Sequence, residues 1–459
     1  MISIFNTLSD KKEPLPKKKE LKLFVCGPTV YDYSHIGHAR TYIAFDNIAR
    51  YLKSRKIPLF YLQNITDIDD KIIARAEERN VSWKKISKDF EKAYHQDMKT
   101  LGVKSVAKYA RASDHIKEIE KQVKTLIKKG YAYEIPWDGW YFDLSKFPEY
   151  GKLSRRTISQ ATDGVSRIDS SNNKKNTGDF CLWKFSREGE PSWKSTLGEG
   201  RPGWHIEDTA ISETFFGPQY DIHGGAVDLK FPHHEAEIAQ QESASGKKPF
   251  VKIWMHTGFL LINGEKMSKS LGNFTTIRDF LKKHSSETLR MMIASHHYRS
   301  PIDYTENLSG QAQASLQRIR HFLARLDMLK KSGSISAEIK KIISTAEQSF
   351  NTAMEDDFNT PDALASIFNL LNVLEKQIWD LNKSEAGAVK KTIAGKFEIF
   401  GISFKKSVKI PSKITEMAKK RELYRTNKQF IQSDAIRKEL DELGYIVEDT
   451  PAGPLVLKK

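Results

Sequence analysis

Short continuous apolar runs alternate along this chain with longer stretches whose apolar residues recur at helical spacing. Leu21-Lys22-Leu23-Phe24-Val25-Cys26 is a β-run closed by the turn signal Gly27-Pro28. From Ile36 to about Ser54, the residues Ile36, Ala39, Ile43, Ile48 and Leu52 recur near the helical period, which predicts a helix. Pro58 to Ile65 reads as a second buried strand. Strand, helix, strand is a βαβ unit, which implies a parallel sheet. Ligands of such sheets bind beyond the carboxyl ends of the strands, where Cys26 and Thr66 fall.

Residues from about 80 to 130 predict charged helices. From 131 to 203 the pattern breaks into aromatics, glycines and short polar runs, which predicts an insertion in the sheet domain. Ser170 to Asn176 reads as a mobile loop within it. Sheet-type motifs resume at Gly203. After about 310, Leu316, Ile319, Phe322, Leu323 and Leu326 share one helical face. Helices continue to about 400, with Thr360 as an N-cap before Pro361. Lys405 to Lys413 reads as a basic linker, and 415–459 as a small terminal unit.

A chain of 459 residues has room for about three domains. Its formal charge of +16 favours a polyanionic partner, because basic surfaces steer phosphate backbones. Cys26 and Cys181 are too few for a disulfide framework, which points to a reducing compartment. Phe180-Cys181-Leu182-Trp183 reads as apolar packing. The N-terminus turns polar without a signal-peptide core, and no run approaches the ~18 apolar residues of a membrane span. A cytoplasmic protein with no membrane partner is expected.

Two motifs carry the chemistry. His35-Ile36-Gly37-His38 opens the first predicted helix. Lys266-Met267-Ser268-Lys269-Ser270 lies in a loop bracketed by Gly264 and Gly272. In this order they specify a site that binds ATP and activates a carboxylate. Activation requires attack on the α-phosphorus, and negative charge grows on the departing pyrophosphate. A helix N-terminus with His35 and His38 offers donors to phosphate. Gly37 permits close approach of the nucleotide. Lys266 and Lys269 supply mobile cations on a loop able to close over ATP. A third signal is metal-like. His233 and Glu237, four apart, fall on one helical face, and Cys26 is a thiolate candidate at a strand end. Thiolate, imidazole and carboxylate suit zinc better than magnesium or calcium.

These residues resemble the cysteinyl-tRNA synthetase family over essentially the whole chain. Cys26-Gly27-Pro28-Thr29-Val30-Tyr31-Asp32 leading into the histidine motif is similar to that family's opening. So are Asn64-Ile65-Thr66-Asp67-Ile68-Asp69-Asp70-Lys71, Arg201-Pro202-Gly203-Trp204-His205-Ile206-Glu207, and His223-Gly224-Gly225 through Asp228 to Phe231-Pro232-His233-His234-Glu235. Asp356-Asp357-Phe358-Asn359-Thr360-Pro361 resembles the opening of the family's helical-domain motif. Ser433-Asp434-Ala435-Ile436-Arg437 and Val447-Glu448-Asp449-Thr450-Pro451 resemble its terminal unit.

The resemblance implies an α/β fold, a class I synthetase nucleotide-binding (Rossmann-like) parallel sheet domain with an insertion. The catalytic domain would occupy 1–130 and 204–250, with a connective-peptide insertion at 131–203. A lysine-loop and stem-contact region at 251–310, an α-helical DALR-type domain at 311–404, and a linker with a C-terminal anticodon-binding unit at 405–459 would follow. The implied reaction is ATP-dependent activation of L-cysteine to cysteinyl-adenylate and transfer to the 3′ end of tRNA-Cys, releasing AMP and pyrophosphate. ATP with Mg²⁺, L-cysteine and tRNA-Cys are the implied partners, and a monomer the implied state.

Residue by residue, the resemblance assigns Gly37, His223, Gly224, Asp228, Ser268 and Lys269 to ATP. It assigns Gly27, Thr66 and Trp204 to the cysteine pocket, with Trp204 as a lid, and Asp434, Arg437 and Asp449 to the anticodon. The resemblance implies one zinc ion that reads the substrate sulfur, because shape alone separates cysteine from serine poorly. In the family zinc is held by two cysteines, a histidine and a glutamate. Cys26, His233 and Glu237 match three of these, and Asp208 stands where most members have the second cysteine. A carboxylate in place of a thiolate leaves the formal charge of the site unchanged and makes it harder. A paralogous cysteine ligase acting on an amino-sugar thiol precursor would share the catalytic domain but lack the terminal motifs present here. The intact histidine and lysine sets argue against an idle RNA-binding paralogue.

Overall fold

The computed structural model of the chain describes residues 1–156, 171, 173–267, 273–404 and 410–458. Ser268, Lys269, Ser270, Leu271 and Gly272 of the lysine motif lie outside the described residues. So do Ser170 and Asn172 of the expected loop, and 405–409 of the expected linker.

A five-stranded parallel sheet runs in the order Val251–Thr257, Tyr220–Ala226, Leu21–Val25, Leu59–Ile65, Lys108–Arg111. The central strand is apolar almost throughout because both faces are covered, and Leu21, Leu23, Phe24 and Val25 are all buried. From it the strand order runs outward in both directions. The switch point therefore falls between Leu21–Val25 and Tyr220–Ala226, the place where open sheets bind ligands. The predicted helix spans Ile36–Ser54 and buries Ile36, Ala39, Ile43, Ile48 and Leu52.

The charged region is two helices, Trp83–Leu101 and Ile116–Lys128, separated by the edge strand Lys108–Arg111. This strand was not legible as one. It pairs on one side only and buries little beyond Ala110, so it carries no apolar run. The insertion folds as a four-stranded antiparallel sheet of Ala132–Ile135, Gly139–Phe142, Phe180–Phe185 and Gly200–Pro202. Cys181 packs there against Ile135 and Tyr141.

The chain divides into two compact units. The first is Met1–Thr305 with Glu355–Asn359; the second is Glu306–Met354 with the chain from Thr360 on. The expected helical face is real: Leu316, Ile319, Phe322, Leu323 and Leu326 are buried on the helix Glu306–Asp327. The next helices are Ala337–Glu355, Thr360–Glu375 and Lys383–Ile399. Thr360 begins its helix, one position later than the cap expected of it. The terminal part pairs the helices Ser412–Thr426 and Phe430–Glu442 with the hairpin Tyr445–Thr450 and Gly453–Lys458. Ile414, Ala418, Leu440 and Val447 form its core.

The segment Glu355–Asn359 joins the first unit through Asp357. Its carboxylate accepts from Phe5 N at 2.8 Å, Tyr298 Oη at 2.6 Å and Arg299 Nε at 2.7 Å. Among the described residues, no helix is long and apolar enough to cross a membrane.

Candidate active site

A cavity of about 510 Å³ opens at the switch point, and residues from both sequence motifs line it. His35 is the N-cap of the Ile36–Ser54 helix. Its Nδ1 accepts from Gly37 N at 3.1 Å and His38 N at 3.3 Å, while His38 Nδ1 accepts from His35 N at 3.3 Å. Both Nδ1 atoms are therefore acceptors, which leaves the proton of each neutral ring on Nε2. The two rings stack with centroids 3.8 Å apart. Burial, with Lys71 nearby, lowers the His38 pKa to about 4, so this ring is neutral at physiological pH.

The lysine motif meets the histidine motif directly. Ile36 N donates to Thr275 O at 3.1 Å, and Ile277 N to Ser34 O at 2.9 Å. A Cβ on Gly37 would lie 2.8 Å from both the His35 ring and Met267 Cε, so any larger residue would displace those side chains. Lys266 reaches Asp228 at 3.7 Å and lies 4.8 Å over the Phe259 ring. Lys71, not assigned a role from sequence, is a further cation of the lining.

At the floor, Cys26, Asp208, His233 and Glu237 converge, with one donor atom from each within 4.8 Å of the others. Cys26 ends the central strand, Asp208 belongs to the helix Ile206–Phe216, and His233 and Glu237 share one face of the helix His233–Ser245. His233 Nε2 lies 2.8 Å from Asp208 Oδ2 and 3.1 Å from Glu237 Oε1. Its Nδ1 lies 2.7 Å from His205 Nδ1, which holds the ring's orientation. Asp208 Oδ1 and Glu237 Oε2 are buried and make no hydrogen bond. Burial and then the charges of Glu237 and Asp208 push the Cys26 thiol well above its usual pKa. Burial and Asp208 do the same to Glu237. The floor thus gathers a thiol, an imidazole and two carboxylates, a donor set that fits a zinc ion.

Thr66 and Trp204 also line the cavity. The Trp204 ring lies 4.6 Å from that of His233, centroid to centroid. Gly27 N donates to Asn64 Oδ1 at 2.6 Å, and a Cβ on Gly27 would strike Asn64 O. Thr66 Oγ1 donates to Glu207 Oε1, a buried carboxylate whose other oxygen makes no hydrogen bond. Glu207 and His205 stand within a motif noticed in the sequence, yet their partners lie far along the chain.

Gly224 and His223 do not line the cavity. His223 turns beneath Cys26, with Nε2 3.2 Å from Sγ and the ring stacked on Trp254 at 4.3 Å. A Cβ on Gly224 would meet the Phe45 ring at 2.2 Å, so this glycine serves helix-to-sheet packing. His234 joins the layer beneath Cys26 with Nε2 3.1 Å from Sγ, and His256 supports it at 2.8 Å. In the terminal unit Asp434 and Arg437 are exposed on the helix Phe430–Glu442. Asp449, on the terminal hairpin, has both oxygens held by Arg421, and Arg425 Nε approaches at 3.3 Å.

This arrangement defines a class I aminoacyl-tRNA synthetase. The family described as tRNA synthetases class I (C) catalytic domain matches residues 12–314, and the DALR domain family matches 349–405. A cysteine–tRNA ligase of Thermococcus gammatolerans is 42% identical, with 98% of each chain covered. One of Methanococcus maripaludis strain C7 is 43% identical over 100% of this chain and 99% of its own. The fold is also that of a methionyl-tRNA synthetase from Mycobacterium tuberculosis, solved with methionyl-adenylate, at a TM-score of 0.64 and 16% identity, covering 83% of this chain and 90% of that one. The chain belongs to the cysteine–tRNA ligase family. It uses ATP to activate cysteine and attaches it to tRNA-Cys; the amino-sugar ligase alternative is not favoured.

Proposed function

We propose that Cys26, Asp208, His233 and Glu237 hold one zinc ion that distinguishes cysteine from serine in this reaction. The observation that supports it is the convergence of these four side chains, with unpaired carboxylate oxygens, at the floor of the cavity that both ATP motifs line. Bound zinc prefers a soft thiolate to a hydroxyl and lowers the pKa of a coordinated thiol.

The chain's own groups do the rest. Thr66, held by Glu207, and Gly27, held by Asn64, orient the amino acid beside the floor, and Trp204 covers it. The helix N-terminus at Gly37, with the Nε2–H donors of His35 and His38, receives the phosphates of ATP, which enters with Mg²⁺. Lys266, Ser268 and Lys269 act on the same phosphates, with Asp228 on the nucleotide side. The two lysines neutralise charge as pyrophosphate leaves. The terminal unit reads the anticodon through exposed Asp434 and Arg437, and Arg421 positions Asp449. The enzyme works as a cytoplasmic monomer.

Elemental analysis tests the metal assignment. Purified protein is expected to hold one zinc per chain, Asp208→Ala to lose it and bind cysteine more weakly, and Asp208→Cys to retain it. Stoichiometric zinc in Asp208→Ala with cysteine affinity intact would refute the ligand role.

A further inference from the structure

We propose that a second groove, at the outer edge of the parallel sheet, holds the unpaired 3′ end of the tRNA beside the catalytic cavity. Its volume is about 410 Å³. It lies past the carboxyl ends of the Leu59–Ile65 and Lys108–Arg111 strands. Asp67 follows the first strand, Arg111 ends the second, and both line the groove. Thr66, the neighbour of Asp67, lines the catalytic cavity, so the two sites adjoin on the ligand-binding side of one sheet.

The groove's chemistry is aromatic and cationic. Trp83, first residue of the Trp83–Leu101 helix, faces Trp193 of the insertion with ring centroids 6.0 Å apart and planes inclined by 59°. Trp193 is held in place by backbone hydrogen bonds to Gly200, at 2.8 and 3.1 Å. The Lys84 ammonium lies 5.5 Å over the Trp83 ring. Lys84, Lys88 and Arg111 are exposed at the rim. The acidic groups are buried beneath and already engaged. Asp67 accepts from Ser113 N at 2.9 Å and from its hydroxyl. Glu91 accepts Arg111 Nε on both oxygens, at 2.9 and 2.8 Å. With Arg111 held by Glu91 and Asp114, the rim presents Lys84 and Lys88 beside the half-buried Trp83 and Trp193 rings.

That combination fits a single-stranded nucleic acid, whose phosphates pair with cations and whose bases stack on aromatic rings. A duplex hides its base faces. The volume, near the lower end of the roughly 300–1,000 Å³ of ligand pockets, suits a nucleotide and not a stem. The established reaction supplies such a segment. The terminal ribose of the tRNA must reach the activated cysteine in the cavity, and the unpaired nucleotides before it must lie alongside. Trp83 and Trp193 are the stacking residues of this path, and Lys84 and Lys88 its phosphate contacts.

The test uses Trp83→Ala and, because Trp83 also packs, a second variant with Lys84→Ala and Lys88→Ala together. Single-turnover transfer from preformed cysteinyl-adenylate to tRNA-Cys is measured at subsaturating tRNA. It is set against tRNA-independent pyrophosphate exchange and against binding of tRNA lacking its three terminal nucleotides. Transfer should fall by about tenfold while exchange stays within about twofold of wild type. The wild-type preference for full-length over truncated tRNA should shrink by the same factor. Transfer unchanged in both variants, or equal weakening of full-length and truncated tRNA, overturns the proposal. Failure here leaves the zinc reading untouched, since exchange and metal content do not involve the groove.

Discussion

Asp208 and Asp449 are both aspartates that a sequence reading assigns to ligands, and the protein treats them in opposite ways. Asp208 is buried at the cavity floor, near a thiol and a second carboxylate, with Oδ1 making no hydrogen bond. Asp449 sits partly exposed on a hairpin with both oxygens on Arg421, whose side chain is 2% exposed. Burial without a partner is costly, so it persists where a ligand restores the balance. Partnered charge needs no ligand. The proposed reading makes the catalytic floor a receptor for a cation, with His233 already beside Asp208 at 2.8 Å. The terminal Arg421–Asp449 pair reads as internal scaffolding that shapes a surface on which Asp434 and Arg437 are the outward groups.

The comparison can be broken most forcefully at the floor. Glu237→Ala should abolish metal binding and lower cysteine-dependent pyrophosphate exchange by more than about 10²-fold, read by elemental analysis and exchange together. Full zinc content in that variant would remove the receptor interpretation. At the other end of the cavity, His38→Asn should cost about 10²-fold in exchange with a smaller change in KM for ATP, because its donor acts on developing charge. An equal rise in KM with kcat unchanged would make His38 a ground-state contact instead.

At the hairpin the expected effect is smaller and of another kind. Arg421→Ala removes the partner of a half-exposed carboxylate and leaves a gap in the terminal unit. It should cost about 1–2 kcal/mol in that unit's unfolding, after allowing for solvent screening of Asp449. Charging of tRNA should weaken while exchange stays unchanged. Loss of exchange in this variant would contradict the division of labour between the two regions.

The last effect is a pH dependence. The folded-state pKa of His38, about 4, lies below its ordinary 6.5, so the unfolded chain binds the proton more readily. The stabilising contribution of neutral His38 is complete above about pH 6.5 and is lost as pH falls toward 4. Unfolding curves of wild type and His38→Asn should converge through that window, and parallel curves would show that burial does not depress this group.

Local signals carried most of the framework because their information lies within a few residues. The Ile36–Ser54 helix and the His233–Glu237 face follow from spacing alone. Long-range partnerships leave no such trace. Nothing near Thr66 announces Glu207, and nothing near His233 announces His205, because sheet topology brings each pair together. The edge strand Lys108–Arg111 hid among charged residues, since one neighbour and one buried side produce no apolar run. The contact of His223 with Cys26 is likewise long-range, set by the alternation of side chains along Tyr220–Ala226. Asp356 to Pro361 was read as part of the helical domain and lies within the DALR match at 349–405, while Asp357 also hydrogen-bonds Tyr298 and Arg299 of the first compact unit, which no local pattern announces.

The most direct measurement of the central claim is absorption spectroscopy of the cobalt-substituted enzyme. Cobalt in the Cys26, Asp208, His233 and Glu237 site should show one thiolate-to-metal charge-transfer band, from Cys26. Adding cysteine should strengthen that band as a second sulfur binds, and serine should leave it unchanged. A spectrum that responds to neither amino acid, or equally to both, would contradict the account.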